Sequence, residues 1–577
     1  MSLNLMTKLF RNIGFVFFAI TLIACGKEQP ALPPAEQVEG EVLVKFRPTV
    51  ASAAVSQTLS HVGLSIVQRY PELGVLKCSL SEAKIVEQAV AECNADPNIE
   101  YAEPNYIYHT MATPNDPRLS SLWGMQMIDA AQAWDIQTGD ESVLVGVIDT
   151  GINYEHEDLA ANMWRNPGES GDGKENNNVD DDNNGFVDDV FGWDFNNDDS
   201  DPRDDNDHGS HVSGTIGAVG DNGKGVVGVN WDVSLMALKF LGADGSGNTA
   251  DAIGAIVYAT NMGAKVLNNS WGGGGRSQAL EDAIRFANDN GVLFIAAAGN
   301  AGSNNDNFPS YPASYEVPNV VAVAASTEDD GLASFSNRGL HSVDLAAPGT
   351  NVLSTVSNGG YNSFSGTSMA TPHVAGASAL IMAQYPGRTV SHIKTRILGS
   401  VETSDIFADA VATGGRLNVF DALSTSPIIR TTRLNNTLDT SGPYVVEADI
   451  VDDIQIGSAT LTYQVNAQDA VTVDMTAAGN DRYQADIPGQ PLDSEITYSV
   501  SAEDDDGNQS TGREITFAIA EAAPPPTDGC GCLQATEVTL ENPELQTTVN
   551  ALVNVSLFLL PFVAIKVGSR RFKKRNS

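Results

Sequence analysis

Four apolar runs, "SVLVGVID", "AKVLNNS", "VLFIAAAGN" and "VVAVAAS", constrain the fold of this chain more than anything else, because none alternates polar with apolar residues. A strand with one wet face alternates, whereas a strand buried on both faces does not. Helical stretches separate the runs, so residues 113–425 are expected to form an α/β domain around a parallel sheet covered by helices. At 577 residues the chain exceeds what one core organises, and further units are expected. Residues 40–112 read strand, helix, strand, helix in "EVLVKF", "TVASAAVSQTLSHVG", "GVLKCSL" and "EAKIVEQAVAEC", a small α+β unit. Residues 426–520 return to strict alternation, as in "SATLTYQVN" and "EITYSVSAEDDDGN", which suggests a β-sandwich of immunoglobulin or fibronectin type.

The two ends speak to location. Lys8 and Arg11 precede "IGFVFFAITLIAC", the charged-then-apolar order of an export signal over residues 1–24. The "LIAC" ending at Cys25 resembles a bacterial lipobox, which implies a lipid on Cys25; an ordinary secretory signal is the alternative. Residues 25–39 read as a tether and 521–533 as a Pro- and Cys-rich linker. Residues 548–575 combine an apolar segment with a basic cluster, which fits a C-terminal membrane anchor or a sorting signal. Both ends place the protein in a bacterial envelope or outside the cell. A net charge of -41 argues against a nucleic-acid partner. Cys78 and Cys93 could pair on spacing alone.

Three segments place reactive side chains where an α/β sheet exposes them, beyond the carboxyl ends of its strands. "VLVGVIDTGIN" ends a buried run at Asp149, "DNDHGSHVSGT" starts a helix at His208, and "SGTSMATPHVAGASAL" starts another at Ser368. A carboxylate, an imidazole and a hydroxyl converging there can form a proton relay. The backbone N–H of Ser368 at a helix start can meet a developing oxyanion, and Pro372 suits a first turn, whose N–H groups have no intrahelical partner. "AAAGN" brings Asn300 to another strand end as a second oxyanion donor.

The set, in this order, resembles the subtilisin-like serine proteases. The resemblance implies a serine endopeptidase acting on protein or peptide substrates, with His208 rather than His211 as the base, and it makes the 40–112 unit an inhibitory propeptide whose tail lies in the cleft and is cut between about Tyr108 and Asn115. It also implies peptide-pairing strands at Gly245, Ser246 and Gly247 and at Ser270, Trp271 and Gly272. Ser310 then lies near the base of the specificity pocket; with no acid in "FPSYPAS", an apolar or broad preference is expected. A Ca²⁺ site is implied at Asp116, Asp158 and Asn222 with the carbonyls of Val219, Lys224 and Val226; no organic cofactor is expected. A catalytically degenerate relative acting as a surface adhesin is the alternative.

One stretch stands apart. Between Asp172 and Asp207 lie fourteen acids and two bases, opening with "NNNVDDDNNGFVDDV". Read from Asp180, the spacing of Asp180, Asp182, Asn184, the Phe186 carbonyl and Asp188 follows an EF-hand-like loop, except that Phe191 takes the position of the closing Glu, which Asp189 or a distant carboxylate would have to replace. A Ca²⁺-organised loop and a solvated acidic loop are the two readings.

Overall fold

The computed structural model describes residues 37–80, 84–107, 112–466 and 468–520. Cys25, residues 521–533 and 548–575, and the segment 108–111 lie outside them. Among the described residues no helix is long and apolar enough to cross a membrane.

The N-terminal unit is one antiparallel sheet of β1 (Gln37–Phe46), β2 (Leu64–Tyr70), β3 (Val75–Leu80) and β4 (Ile99–Tyr106), in the order β2-β3-β1-β4. Helices Ser52–Val62 and Val86–Ala95 share its core through Leu59, Val62, Val86 and Ala89. Two features differ from expectation. Leu64–Tyr70 is a strand that alternation did not reveal, because at the sheet edge only Leu64 is buried. Ile99–Tyr106, which the strand, helix, strand, helix reading leaves out, pairs with β1 as the opposite edge. Cys78 and Cys93 are buried in this core as free thiols and form no disulfide, and burial pushes both up to about 11.

The α/β domain carries the strands expected from the four apolar runs, β5 (Gly139–Asp149), β8 (Val266–Asn269), β9 (Leu293–Ala297) and β10 (Val320–Ser326), together with β7 (Asp232–Lys239) and β11 (Leu345–Pro348), which those runs did not include, and with β6 (Gly192–Asp194) at one edge. A hairpin of β12 (Val352–Thr355) and β13 (Tyr361–Phe364) stands off the sheet, and β14 (Glu402–Thr403) and β15 (Gly415–Arg416) close its other edge. The order is β14-β15-β11-β10-β9-β8-β5-β7-β6, and every pairing is parallel except β14 with β15. The chain leaves β5 on one side for β6 and β7 and on the other for β8 to β11, so the strand order reverses at β5. A crevice opens beyond the carboxyl end of a strand at such a reversal, and the last residue of β5 is Asp149.

Residues 430–450 and 456–520 build two antiparallel sheets as a separate unit. Ile456–Val465 pairs with Glu495–Asp504 and Val471–Asp474, and Tyr444–Val451 pairs with Arg482–Ile487. Glu495–Asp504 buries every second residue, as its sequence pattern requires.

Candidate active site

Asp149 is fully buried, and its Oδ1 accepts from the backbone N–H of Thr150 at 2.7 Å and lies 2.7 Å from His208 Nδ1. The ring of His208, the first residue of helix His208–Gly217, keeps about a quarter of its side chain exposed. Two backbone features allow this approach. Asp207 turns the chain with φ of 91°, and residue 209 is Gly, where a Cβ would sit 2.1 Å from the Gly151 carbonyl.

A second carboxylate holds the same elements together. Buried Asp204 accepts from Thr150 Oγ1 at 2.8 Å and from the Ser210 N–H at 2.9 Å, while Thr150 Oγ1 accepts from the Gly209 N–H. The helix start is thereby tied to the strand end. Lys239 closes the group from β7: its buried Nζ donates to the carbonyls of Thr150 and Leu241, both at 2.9 Å, and to Asp205 at 2.7 Å. Burial disfavours the imidazolium of His208, but the charge of Asp149, its hydrogen bond and then the charge of Asp204 outweigh burial and hold the ring above its ordinary value. His211 is different: it is fully buried, stacks on Phe364 with centroids 4.5 Å apart, faces the Val352 carbonyl at 2.9 Å, and burial pushes it down to about 4.

Ser368 is the second residue of the buried helix Thr367–Gln384. Its hydroxyl donates to the Ser270 carbonyl at 2.9 Å, and among the described residues no hydrogen bond joins it to His208. Pro372 falls in the second turn of this helix, not the first. Having no N–H, it leaves unmade the hydrogen bond that residue 372 would give the carbonyl of residue 368. Ser270 Oγ donates to that carbonyl at 2.8 Å instead, so Ser270 and Ser368 are bonded reciprocally. Asn300 Oδ1 accepts from the Thr367 N–H and hydroxyl at 2.8 and 3.0 Å, which leaves its Nδ2 as a donor on the exposed side.

Gly245, Ser246 and Gly247 lie in a turn closed by Gly242 N–H to Ser246 O, not in a strand. Their Gly-rich sequence favours a turn, and the stretch makes no ladder. Residues 270–274 continue β8 without a ladder partner on either side, Trp271 packs on Phe240, and the Gly273 N–H reaches the Tyr311 carbonyl. Ser310 sits behind Gly272 and Gly299, with its Oγ 3.8 and 3.2 Å from where their Cβ atoms would be.

Of the two expected metal sets, one comes together. Asp158 is fully buried and accepts from Asn222 Nδ2, the Val226 N–H and Tyr361 Oη, while Asp116 Oδ2 accepts from the Asp221 N–H. Asp116 Oδ1 is buried without a partner, and the carbonyls of Val219, Lys224 and Val226 accept no hydrogen bond among the described residues. Burial first, then the neighbouring Asp158, pushes Asp116 up. An orphaned carboxylate oxygen and free carbonyls are donors that suit a hard cation, whereas Asn222 Oδ1 is engaged by the Lys224 N–H at 2.7 Å.

The EF-hand-like set does not gather. Asp180 accepts from the Asn184 and Gly185 N–H groups, closing a turn, and Asp188 accepts from those of Asn177 and Asn178, which tie an earlier part of the loop to it. Asn184 Oδ1 is engaged by the Phe186 N–H. Backbone N–H donors occupy these oxygens in place of a shared centre. Asp182 joins a different cluster, with Glu169 and with Asp189, the residue expected to stand in for the closing Glu.

Residues 140–425 match the model of the subtilase family, and residues 26–105 match that of the fervidolysin N-terminal prodomain. The chain belongs to the subtilase family of serine endopeptidases. It is 37% identical over 395 residues to a thermophilic serine proteinase of Bacillus sp. (strain AK1), covering 67% of this chain and 88% of that one. Identity to thermitase of Thermoactinomyces vulgaris is 37% over 316 residues, 54% of this chain and 99% of thermitase. The halolysin-like extracellular serine protease Nep of Natrialba magadii is 36% identical over 303 residues, 52% of this chain and 51% of its own. The subtilase domain therefore carries the site just described.

Sequence reasoning missed Asp204, Lys239 and the structural role of Ser270. A lone Lys ending the apolar run "LMALK" was a usable sign; nothing separated Asp204 from its acidic neighbours.

Two outcomes follow from this geometry. Ser270→Ala removes the hydroxyl that pairs with the half-buried Ser368 carbonyl, which costs about 0.5–1.5 kcal/mol; calorimetric unfolding in a Ser368→Ala background reads it, and an unchanged melting temperature contradicts the pairing. Asp204→Asn removes a charge that favours the imidazolium, so the acid limb of the kcat/KM pH profile moves to lower pH, and an unmoved limb contradicts the role of Asp204.

Proposed function

We propose that this subtilase is an exported, self-processed endopeptidase that cuts peptide bonds with Ser368 as nucleophile, His208 as general base and Asp149 as the carboxylate that orients the ring. The observation that carries the reading is the 2.7 Å contact between buried Asp149 and His208 Nδ1. It leaves Nε2 as the nitrogen available to a hydroxyl, and the helices beginning at His208 and Thr367 share one core through Val212, Ile216 and Val374. For reaction, the Ser368 hydroxyl turns from the Ser270 carbonyl to His208 Nε2, gives up its proton there and attacks the carbonyl carbon; the ring then returns the proton to the leaving amine. Asn300 Nδ2 and the Ser368 N–H donate to the oxyanion. The freed Ser270 carbonyl accepts a substrate N–H, with Trp271, Gly272 and the Gly245 to Gly247 turn bordering an extended peptide. Ser310 closes a pocket without charge, which supports an apolar or broad preference.

On the same reading the prodomain inhibits the enzyme until the chain is cut between about residues 108 and 115. Lipid on Cys25 then stays with the prodomain, and the 548–575 segment or its processed end attaches the mature enzyme to the envelope. A relative described as extracellular supports export. Asp116, Asp158, Asn222 and the three free carbonyls hold a structural Ca²⁺, and residues 426–520 form an immunoglobulin- or fibronectin-like module.

A fluorophosphonate probe is expected to label Ser368, as mapped by peptide mass, and not to label Ser368→Ala. N-terminal sequencing of the labelled form is expected to begin between residues 108 and 115. A folded chain that takes no label is the degenerate adhesin instead.

A further inference from the structure

Within the insertion between the Asp149 strand and the His208 helix, three carboxylates meet away from the peptidase centre. One oxygen from each of Glu169, Asp182 and Asp189 lies within 4.8 Å of the other two. Glu169 and Asp189 are fully buried. Like charges so placed repel strongly where water is excluded. Among the described residues no Lys, Arg or His is paired with any of the three.

The surrounding donors are all neutral. Asn166 Nδ2 donates to Asp182 at 2.9 Å and to Asp189 at 2.7 Å, and Asn184 Nδ2 and Tyr258 Oη donate to Asp189. Neutral donors orient carboxylates without removing their charge. A separate observation points to a ligand: Glu169 Oε1 accepts from the Asp181 N–H at 2.6 Å and the Asp182 N–H at 3.2 Å, while its Oε2 is buried with no partner. A fully buried carboxylate oxygen with nothing to accept from is costly.

We propose that Glu169, Asp182 and Asp189 hold a divalent cation, and that it is Ca²⁺. The donors are all oxygen, no imidazole or thiolate is among them, and they stand on irregular loop that can adopt the variable geometry Ca²⁺ tolerates. This set keeps Asp182 and Asp189 from the reading of the acidic run but not Asp180 and Asp188, whose oxygens are taken by backbone N–H groups. The site also has a mechanical consequence. Tyr258 lies on helix Thr249–Asn261, which directly follows the Gly245 to Gly247 turn, so a cation fixing Asp189 ties the insertion to the helix behind that turn.

The test uses the full chain carrying Ser368→Ala, which removes autolysis and makes the readout independent of the peptidase reading. After stripping with a chelator, calcium is titrated calorimetrically and counted by elemental analysis. Glu169→Gln and Asp189→Asn are each expected to bind one Ca²⁺ fewer per chain, and Asp180→Asn to keep the full count. An unchanged count in both Glu169→Gln and Asp189→Asn, or a loss in Asp180→Asn alone, overturns the assignment. Should a variant not fold, hydrogen exchange in the otherwise unchanged Ser368→Ala chain decides. Ca²⁺ is expected to slow exchange of the Asp181 and Asp182 amides, which bond to Glu169, by at least about tenfold; equal rates with and without Ca²⁺ overturn the proposal.

Discussion

The hydrogen bond between buried Asp149 and His208 is the contact on which the site depends. A carboxylate removed from water is tolerable only when its charge is matched by donors, and Asp149 has two on one oxygen, the Thr150 N–H and the His208 ring. That demand fixes the ring's tautomer and orientation together. It also explains why the neighbouring backbone is so crowded: the helix must begin within reach of the strand end, which the turn at Asp207 and the bare Cα of Gly209 permit.

Around that contact the chain spends polar groups on position. Asp204 ties the helix start to Thr150, Lys239 gathers two carbonyls and an acid beneath it, and Ser270 takes over the bond that Pro372 cannot make. These are cases of one rule, that a buried polar group must be satisfied or it weakens the fold. The acidic insertion obeys the same rule differently: backbone N–H groups absorb Asp180 and Asp188, and Glu169, Asp182 and Asp189 are left facing one another.

Much of the fold was legible because burial on both faces erases alternation. The runs at β5, β8, β9 and β10 could hardly be anything but inner strands of a parallel sheet, and Asp149 at the end of one of them marked the crevice. The edges were not legible for the converse reason. Leu64–Tyr70 buries a single side chain, and Tyr361–Phe364 none, so neither leaves a pattern. The family resemblance selected His208, the first His of "HGSH", over His211, and the two rings differ physically, one at a carboxylate and the other stacked in the core. Asp204 and Glu169 were hidden because only tertiary contact distinguishes a working acid from a solvated one in so acidic a stretch.

The central claim is that Asp149 holds His208 by a charge-assisted bond that outweighs the ring's burial. Selective ¹⁵N-histidine NMR on the Ser368→Ala chain, titrated with pH and compared with a form also carrying Asp149→Asn, measures it directly. The account predicts a His208 ring that stays protonated to a pH above the ordinary imidazole value of 6.5 and loses that displacement with Asp149→Asn. A His208 that titrates below that value, or identically in both chains, would contradict it.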